Sequence, residues 1–122
     1  MSEQDHKKHH VPFPEEENGE AKPQPTSYTM VEPRFREIYF QFYKETYKPS
    51  VLDRKTKELI AIAASLAARC QGCLEGHIKK AMKFGASREE ISESIAIAIG
   101  VNAAAIVDLS DIAADNLNLK LY

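Results

Sequence analysis

The chain has 122 residues, 43% of them hydrophobic, and carries 16 Lys and Arg against 18 Asp and Glu for a formal charge of −2. That length holds one domain with a modest core, and a nearly neutral body without a basic stripe argues against nucleic acid as the main partner. No charge-free apolar run reaches the roughly 18 to 20 residues of a membrane span, and no apolar leader follows "MSEQDHKKHH", so a cytoplasmic protein without a membrane partner is expected.

Residues 1–27 contain four of the six prolines, three Lys and six acidic residues (net −3), while the remainder has thirteen Lys and Arg against twelve acidic residues (net +1). The first segment has almost no large aliphatic side chains, so it cannot bury enough surface to offset its ordering entropy. It reads as a disordered or loosely docked arm, with His6, His9 and His10 solvated rather than holding a metal. Residues 28–122 read as the folded domain.

From there the pattern is helical, with no period-two alternation and no Asn-Gly or Asp-Gly hairpin signal, which predicts an all-α fold. A first amphipathic helix is expected over about 33–47, with Pro33 at its first position and Phe35, Ile38, Tyr39 and Phe42 on a core stripe. Tyr39 and Tyr43 are assigned to that stripe rather than to a pocket. Lys48-Pro49 breaks the helix, and Ser50 or Asp53 suits the next N-cap. From Leu59 to Ala68 every residue but Ser65 is apolar or Ala, so the second helix is expected to be buried nearly all round. A third helix runs from about Cys70 to Phe84 and closes on Gly85, which suits the left-handed position after a helix. Ser87 and Glu90 form a capping box for a fourth helix carrying Ile91, Ile95, Ile99 and Ala103, with Gly100 or Asp108 as possible interruptions. Its segment "IAIAIGVNAAAIV" is apolar on all sides. It is either a central core helix or a helix that also serves a subunit interface.

The two cysteines of the chain and His77 fall within eight positions, in "CQGCLEGH". On a helix Cys73 lies about 60° round from Cys70 with His77 between them, and the two Cα atoms stand about 5 Å apart, within disulfide range. Near a helix N-terminus, beside an imidazolium, a thiol pKa falls from about 8.5 to between about 3.5 and 7.5. Such a thiolate is a nucleophile, His77 is its proton acceptor and donor, and the second cysteine can close a disulfide. A zinc site on Cys70, Cys73 and His77 needs a fourth ligand, either Glu58 or an arm histidine, and no metal is expected. If the second and third helices form a simple hairpin turning near residue 70, position 58 lies opposite about position 82, roughly a turn beyond His77. Crossing angle, side-chain reach or a neighbouring subunit must then close the gap.

Glu58, eleven intervening residues, then Cys70-x-x-Cys73-x-x-x-His77 resembles the active-site signature of the AhpD-like alkylhydroperoxidases within the carboxymuconolactone decarboxylase family. The surrounding sequence over roughly residues 50–108, including the Gly-Ala-Ser-x-Glu-Glu-Ile linker, is similar to the family core. The arm and the first helix lie outside that similarity. The resemblance implies an AhpD-like helical bundle forming a homo-oligomer, commonly a trimer or hexamer, with no cofactor. It further implies a thiol-dependent peroxidase or disulfide reductase that takes a hydroperoxide substrate and an external dithiol or protein reductant. On that reading Cys73 is the peroxide-attacking thiolate, Cys70 the resolving cysteine, and His77 and Glu58 the proton relay. Gly72 departs from the pattern, since an aromatic or polar residue often precedes the second cysteine, and it is expected to open the pocket mouth. The alternatives are a carboxymuconolactone decarboxylase-type enzyme, whose relatives typically lack the cysteine pair, and a non-enzymatic redox-sensing oligomeric module.

Overall fold

Helix boundaries fall where the sequence supplies partners for the unpaired backbone groups of helix ends. The computed structural model of the chain describes residues 28–119 and 122, so the expectations for the arm and for His6, His9 and His10 lie outside the described residues. Among the described residues there are four helices and no strand: α1 (Pro33–Tyr47), α2 (Arg54–Ala68), α3 (Gln71–Lys83) and α4 (Arg88–Leu117).

Pro33 opens α1, and the chain turns extended at Lys48, ahead of Pro49, where a helical conformation is disfavoured. Asp53 rather than Ser50 caps α2, its side chain accepting the Thr56 N–H at 2.7 Å. Lys57 of α2 donates to the carbonyls of Thr46 at 2.8 Å and Lys48 at 2.5 Å, which satisfies the C-terminal end of α1 and ties it to α2. Arg69 takes a left-handed conformation (φ 57°) that ends α2, and the Cys70 N–H reaches back to the Ser65 carbonyl at 2.9 Å. Gly85 does the same for α3 (φ 90°), with the Ala86 N–H on the Ala81 carbonyl at 2.9 Å. Ser87 and Glu90 form the expected reciprocal capping box at the start of α4.

α2 is central, packed against α3 and α4 and more lightly against α1. Ser94 donates to the Leu59 carbonyl at 2.6 Å and Lys55 pairs with Glu90 at 2.9 Å, and both contacts join α4 to α2. Among the described residues the buried apolar ones are Ala61, Ile62, Ala81 and Ala98, a small core in which only Ile62 is large.

That core corrects three expectations. α2 is buried on one face only, through Arg54, Glu58, Ala61, Ile62 and Ser65, while Ile60 is exposed. Phe35, Ile38, Tyr39 and Phe42 are all exposed, because α1 docks through its C-terminal end and the other described residues leave the stripe uncovered. α4 is one unbroken helix of 30 residues, about 45 Å long, passing through Gly100 and Asp108 without interruption. Against the other described residues it buries only Ser94 and Ala98, so among them it is not a core helix. A side chain at Gly100 would meet none of the other described residues within 4 Å, so its small size serves no close approach among them.

By length and composition α4 could also cross a membrane, with an 18-residue window of mean hydropathy 1.8. Its charge-free stretch, residues 94–107, is shorter than the roughly 20 residues that cross a hydrocarbon core.

Candidate active site

The connection between α2 and α3 builds the site. With Arg69 left-handed, the chain reverses in two residues and Cys70 becomes the N-cap of α3, one position ahead of the helix. Its sulfur accepts the Cys73 N–H at 3.3 Å. Cys70 and Cys73 form a disulfide with Cα atoms 5.2 Å apart, close to the spacing the sequence predicts. Cys73 is exposed and Cys70 partly so. Gly72 is buried and does not line the cavity described below, so it does not open the mouth as expected.

His77, one turn after Cys73, is 6% exposed, and Glu58 is wholly buried. Their side chains meet: Glu58 Oε1 lies 2.7 Å from His77 Nδ1. The hairpin estimate that put position 58 a turn too far is thus corrected within one chain. The other carboxylate oxygen, Oε2, accepts Arg54 Nε–H at 2.8 Å, a pair four residues apart on α2. A carboxylate that already balances a guanidinium can only accept, so Nδ1 carries the proton and Nε2 is left as the basic nitrogen. The Arg54 guanidinium stands 4.4 Å from the centre of the Phe84 ring and 5.7 Å from that of Tyr47. A buried carboxylate, a buried cation and aromatic faces together hold the imidazole in one tautomer and one orientation.

The Tyr47 ring stacks on His77 with centroids 5.2 Å apart, and its Oη lies 3.4 Å from Nε2. Burial, with the Glu58 charge adding to it, pushes the Tyr47 hydroxyl up to about 12. Burial raises the Tyr43 hydroxyl further still. Both remain hydroxyls at neutral pH.

Above the disulfide lies a cavity of about 290 Å³. α1 supplies Tyr39, Phe42, Tyr43, Thr46 and Tyr47, α2 supplies Ala61, Ala64, Ser65 and Ala68, and Cys70, Cys73 and His77 complete the lining. Tyr39 and Tyr43 therefore face a pocket, contrary to their assignment to a core stripe. Arg54 and Tyr47 escaped sequence reasoning altogether. Arg54 precedes Glu58 by one helical turn, the spacing of a side-chain pair, and that was the one available signal. Of the zinc ligands weighed from the sequence, Cys70 and Cys73 are bonded to each other, and the arm histidines lie outside the described residues.

Comparison with known proteins gives this geometry its context. The chain is 36% identical over 69 residues to uncharacterized protein 4 in the cox locus of Paracoccus denitrificans, a match covering 57% of this chain and 62% of that protein. A carboxymuconolactone decarboxylase family protein from Legionella pneumophila is 35% identical, with a TM-score of 0.54 over 57% of this chain and 62% of its own. A second family protein, from Thermotoga maritima, is 30% identical, with a TM-score of 0.53 over 71% of this chain and 98% of its own. The chain thus spans less than two thirds of the Paracoccus and Legionella proteins. The family pattern itself matches residues 33–115, so α1, expected to lie outside the shared core, lies inside it. With an all-helical fold and a match over more than half its length, the chain belongs to the carboxymuconolactone decarboxylase family as an AhpD-like member.

Proposed function

We propose that this protein is a thiol-dependent peroxidase or disulfide reductase that reduces organic hydroperoxides and is itself reduced by an external dithiol or protein reductant in the cytoplasm. One observation carries the reading: Glu58 fixes His77 so that its basic Nε2, rather than Nδ1, is available beside a cavity that also holds the exposed Cys73 of a disulfide. In the reduced enzyme His77 takes the Cys73 proton, and the thiolate attacks the terminal oxygen of the hydroperoxide. The S–O bond forms as the O–O bond breaks, sulfur losing two electrons and the peroxide gaining them, and the departing alkoxide takes a proton to become an alcohol. Cys70 thiol then attacks the Cys73 sulfenic acid, releasing water and restoring the disulfide seen here. The reductant reopens it. For the Thermotoga maritima relative a part in the antioxidative response has been suggested, which agrees with this chemistry.

The working form is proposed to be a homo-oligomer, a trimer or hexamer. Eight large apolar residues of α4, from Ile97 to Leu117, are 55–67% exposed, and the Phe35, Ile38 and Phe42 face of α1 is bare as well. Covering the α4 residues alone is worth roughly 10 kcal/mol before the costs of association. Other copies of the same chain, closed into a ring, are the simplest cover for both faces.

The test is a single-turnover peroxide assay on reduced protein, with dimedone trapping and mass spectrometry. Cys73→Ser should abolish reaction. Cys70→Ser should permit one stoichiometric attack and stall at the sulfenic acid. His77→Ala should slow the first step at neutral pH and recover partly as pH rises. Decarboxylation of a muconolactone by wild type, undiminished in the Cys70→Ser and Cys73→Ser variants, would overturn the peroxidase reading in favour of the decarboxylase one.

A further inference from the structure

Resting on the peroxidase reading, we infer that Tyr47 is a further catalytic residue: its hydroxyl protonates the alkoxide that leaves when the peroxide O–O bond breaks, and His77 returns the proton. Cleavage of an alkyl hydroperoxide expels a strongly basic alkoxide, so a proton donor is needed on the side of the leaving oxygen. His77 Nδ1 is committed to Glu58, which leaves Nε2 as the one ring nitrogen free to exchange a proton with the site. Tyr47 Oη lies 3.4 Å from that nitrogen, and the Tyr47 side chain lines the same cavity as Cys73. An approach of that length is longer than a settled hydrogen bond, and catalytic hydrogen bonds commonly run long before substrate enters.

The fold holds Tyr47 firmly in this place. It is the last residue of α1, and Lys57 clasps the carbonyls of Thr46 and Lys48 on either side of it. Its ring lies at 26° to the His77 ring, with Tyr43 on its other neighbour position at 4.9 Å between centroids. The charged and titratable groups around it include His77 from α3, Arg54 and Glu58 from α2, and Tyr39 and Tyr43 from α1. A phenol is protonated at neutral pH and burial favours that form further, so it begins each turnover as a donor.

The balance closes. His77 Nε2 accepts the Cys73 thiol proton; the thiolate takes the terminal hydroxyl of the peroxide; the electron pair of the O–O bond leaves on the alkyl oxygen. Tyr47 gives that oxygen its proton, and the resulting phenolate recovers one from the His77 imidazolium. The sum is thiol plus hydroperoxide giving sulfenic acid plus alcohol, with neither Tyr47 nor His77 changed.

Leaving-group dependence separates this role from a merely structural one. The Tyr47→Phe variant keeps the ring on His77 and removes only the hydroxyl. It should slow the first turnover of tert-butyl hydroperoxide, which expels an alkoxide, by at least about tenfold, and leave peracetic acid, which expels a weakly basic carboxylate, within about twofold of wild type. Site-specific difluorotyrosine at position 47 should restore the tert-butyl hydroperoxide rate, since it retains an O–H and the shape of the native ring. Equal slowing of both peroxides, slowing of neither, or no restoration by difluorotyrosine would overturn the role of Tyr47 while leaving the peroxidase reading intact. If wild type consumes neither peroxide, the peroxidase reading fails, and the role of Tyr47 fails with it.

Discussion

Glu58→Gln is the perturbation whose consequences the structure specifies most fully, because the carboxylate has two partners with different needs. Arg54 must face an acceptor, so the Gln carbonyl oxygen turns to Arg54 Nε, now at the Oε2 position that stands 2.8 Å away in the native side chain. The amide NH₂ is then forced toward His77 Nδ1, 2.7 Å from the native Oε1. A donor there needs an acceptor, so the imidazole proton moves to Nε2 and the ring loses its basic nitrogen on the cavity side. Two magnitudes follow. Removing the charge of a carboxylate that is 0% exposed, beside an arginine that is 7% exposed, costs about 3 kcal/mol, the lower end for breaking a buried pair, since one hydrogen bond to Arg54 survives. Losing the proposed general base should lower the first peroxide turnover about 10²- to 10⁴-fold. Chemical denaturation reads the first quantity, stopped-flow single turnover the second, and nitrogen NMR of the imidazole reports the tautomer directly. A variant that unfolds within about 0.5 kcal/mol of wild type, with the His77 proton still on Nδ1, would refute this account of Glu58.

Further expectations concern assembly, pH and the arm. Ile97→Glu or Ile106→Glu on the exposed apolar face of α4 should lower the oligomer mass in analytical ultracentrifugation, and a monomeric wild type at micromolar concentration would refute the interface. The Thr56 backbone N–H holds Asp53, and Lys55 with the Ser87 backbone holds Glu90, below their ordinary values. A depressed folded pKa gives stability that is present above the unfolded value and lost as pH falls through the folded one, so both should contribute to acid unfolding, weakened in Asp53→Asn and Glu90→Gln. At the alkaline end the raised hydroxyls of Tyr47 and Tyr43 give stability that is complete below their ordinary value of 10 and lost as pH rises past it, toward about 12 for Tyr47. A pH scan of thermal stability that is flat across both windows would contradict these assignments. Removal of residues 1–26 should leave helicity and peroxide consumption intact, because the family match begins at residue 33 and every proposed site residue follows it; loss of either would give the arm a direct role.

Much of this protein was legible in its sequence because local chemistry decided it. Helix ends follow from chemistry within a few residues: Pro33, the Ser87–Glu90 box and Gly85 stand where the chain alone indicates, and Asp53 is one of the two N-caps it offers. The Cys70–Cys73 pairing follows from a three-residue separation at a helix start, where the N-cap and the first turn bring the two Cα atoms within disulfide range whatever packs around them. What tertiary structure decided were the relations that depend on how one helix crosses another. The left-handed Arg69 and the N-cap position of Cys70 set the register of α2 against α3, and so brought Glu58 to His77 where a simple hairpin would have missed it. Apolar stripes predicted burial for α1, α2 and α4, but periodicity records only which face is apolar, not whether the same chain covers it. Tyr47 and Arg54 became part of the site for the same reason: no spacing in the sequence fixes where the end of α1 meets α3, and only the packed helices place a phenol 3.4 Å from the imidazole.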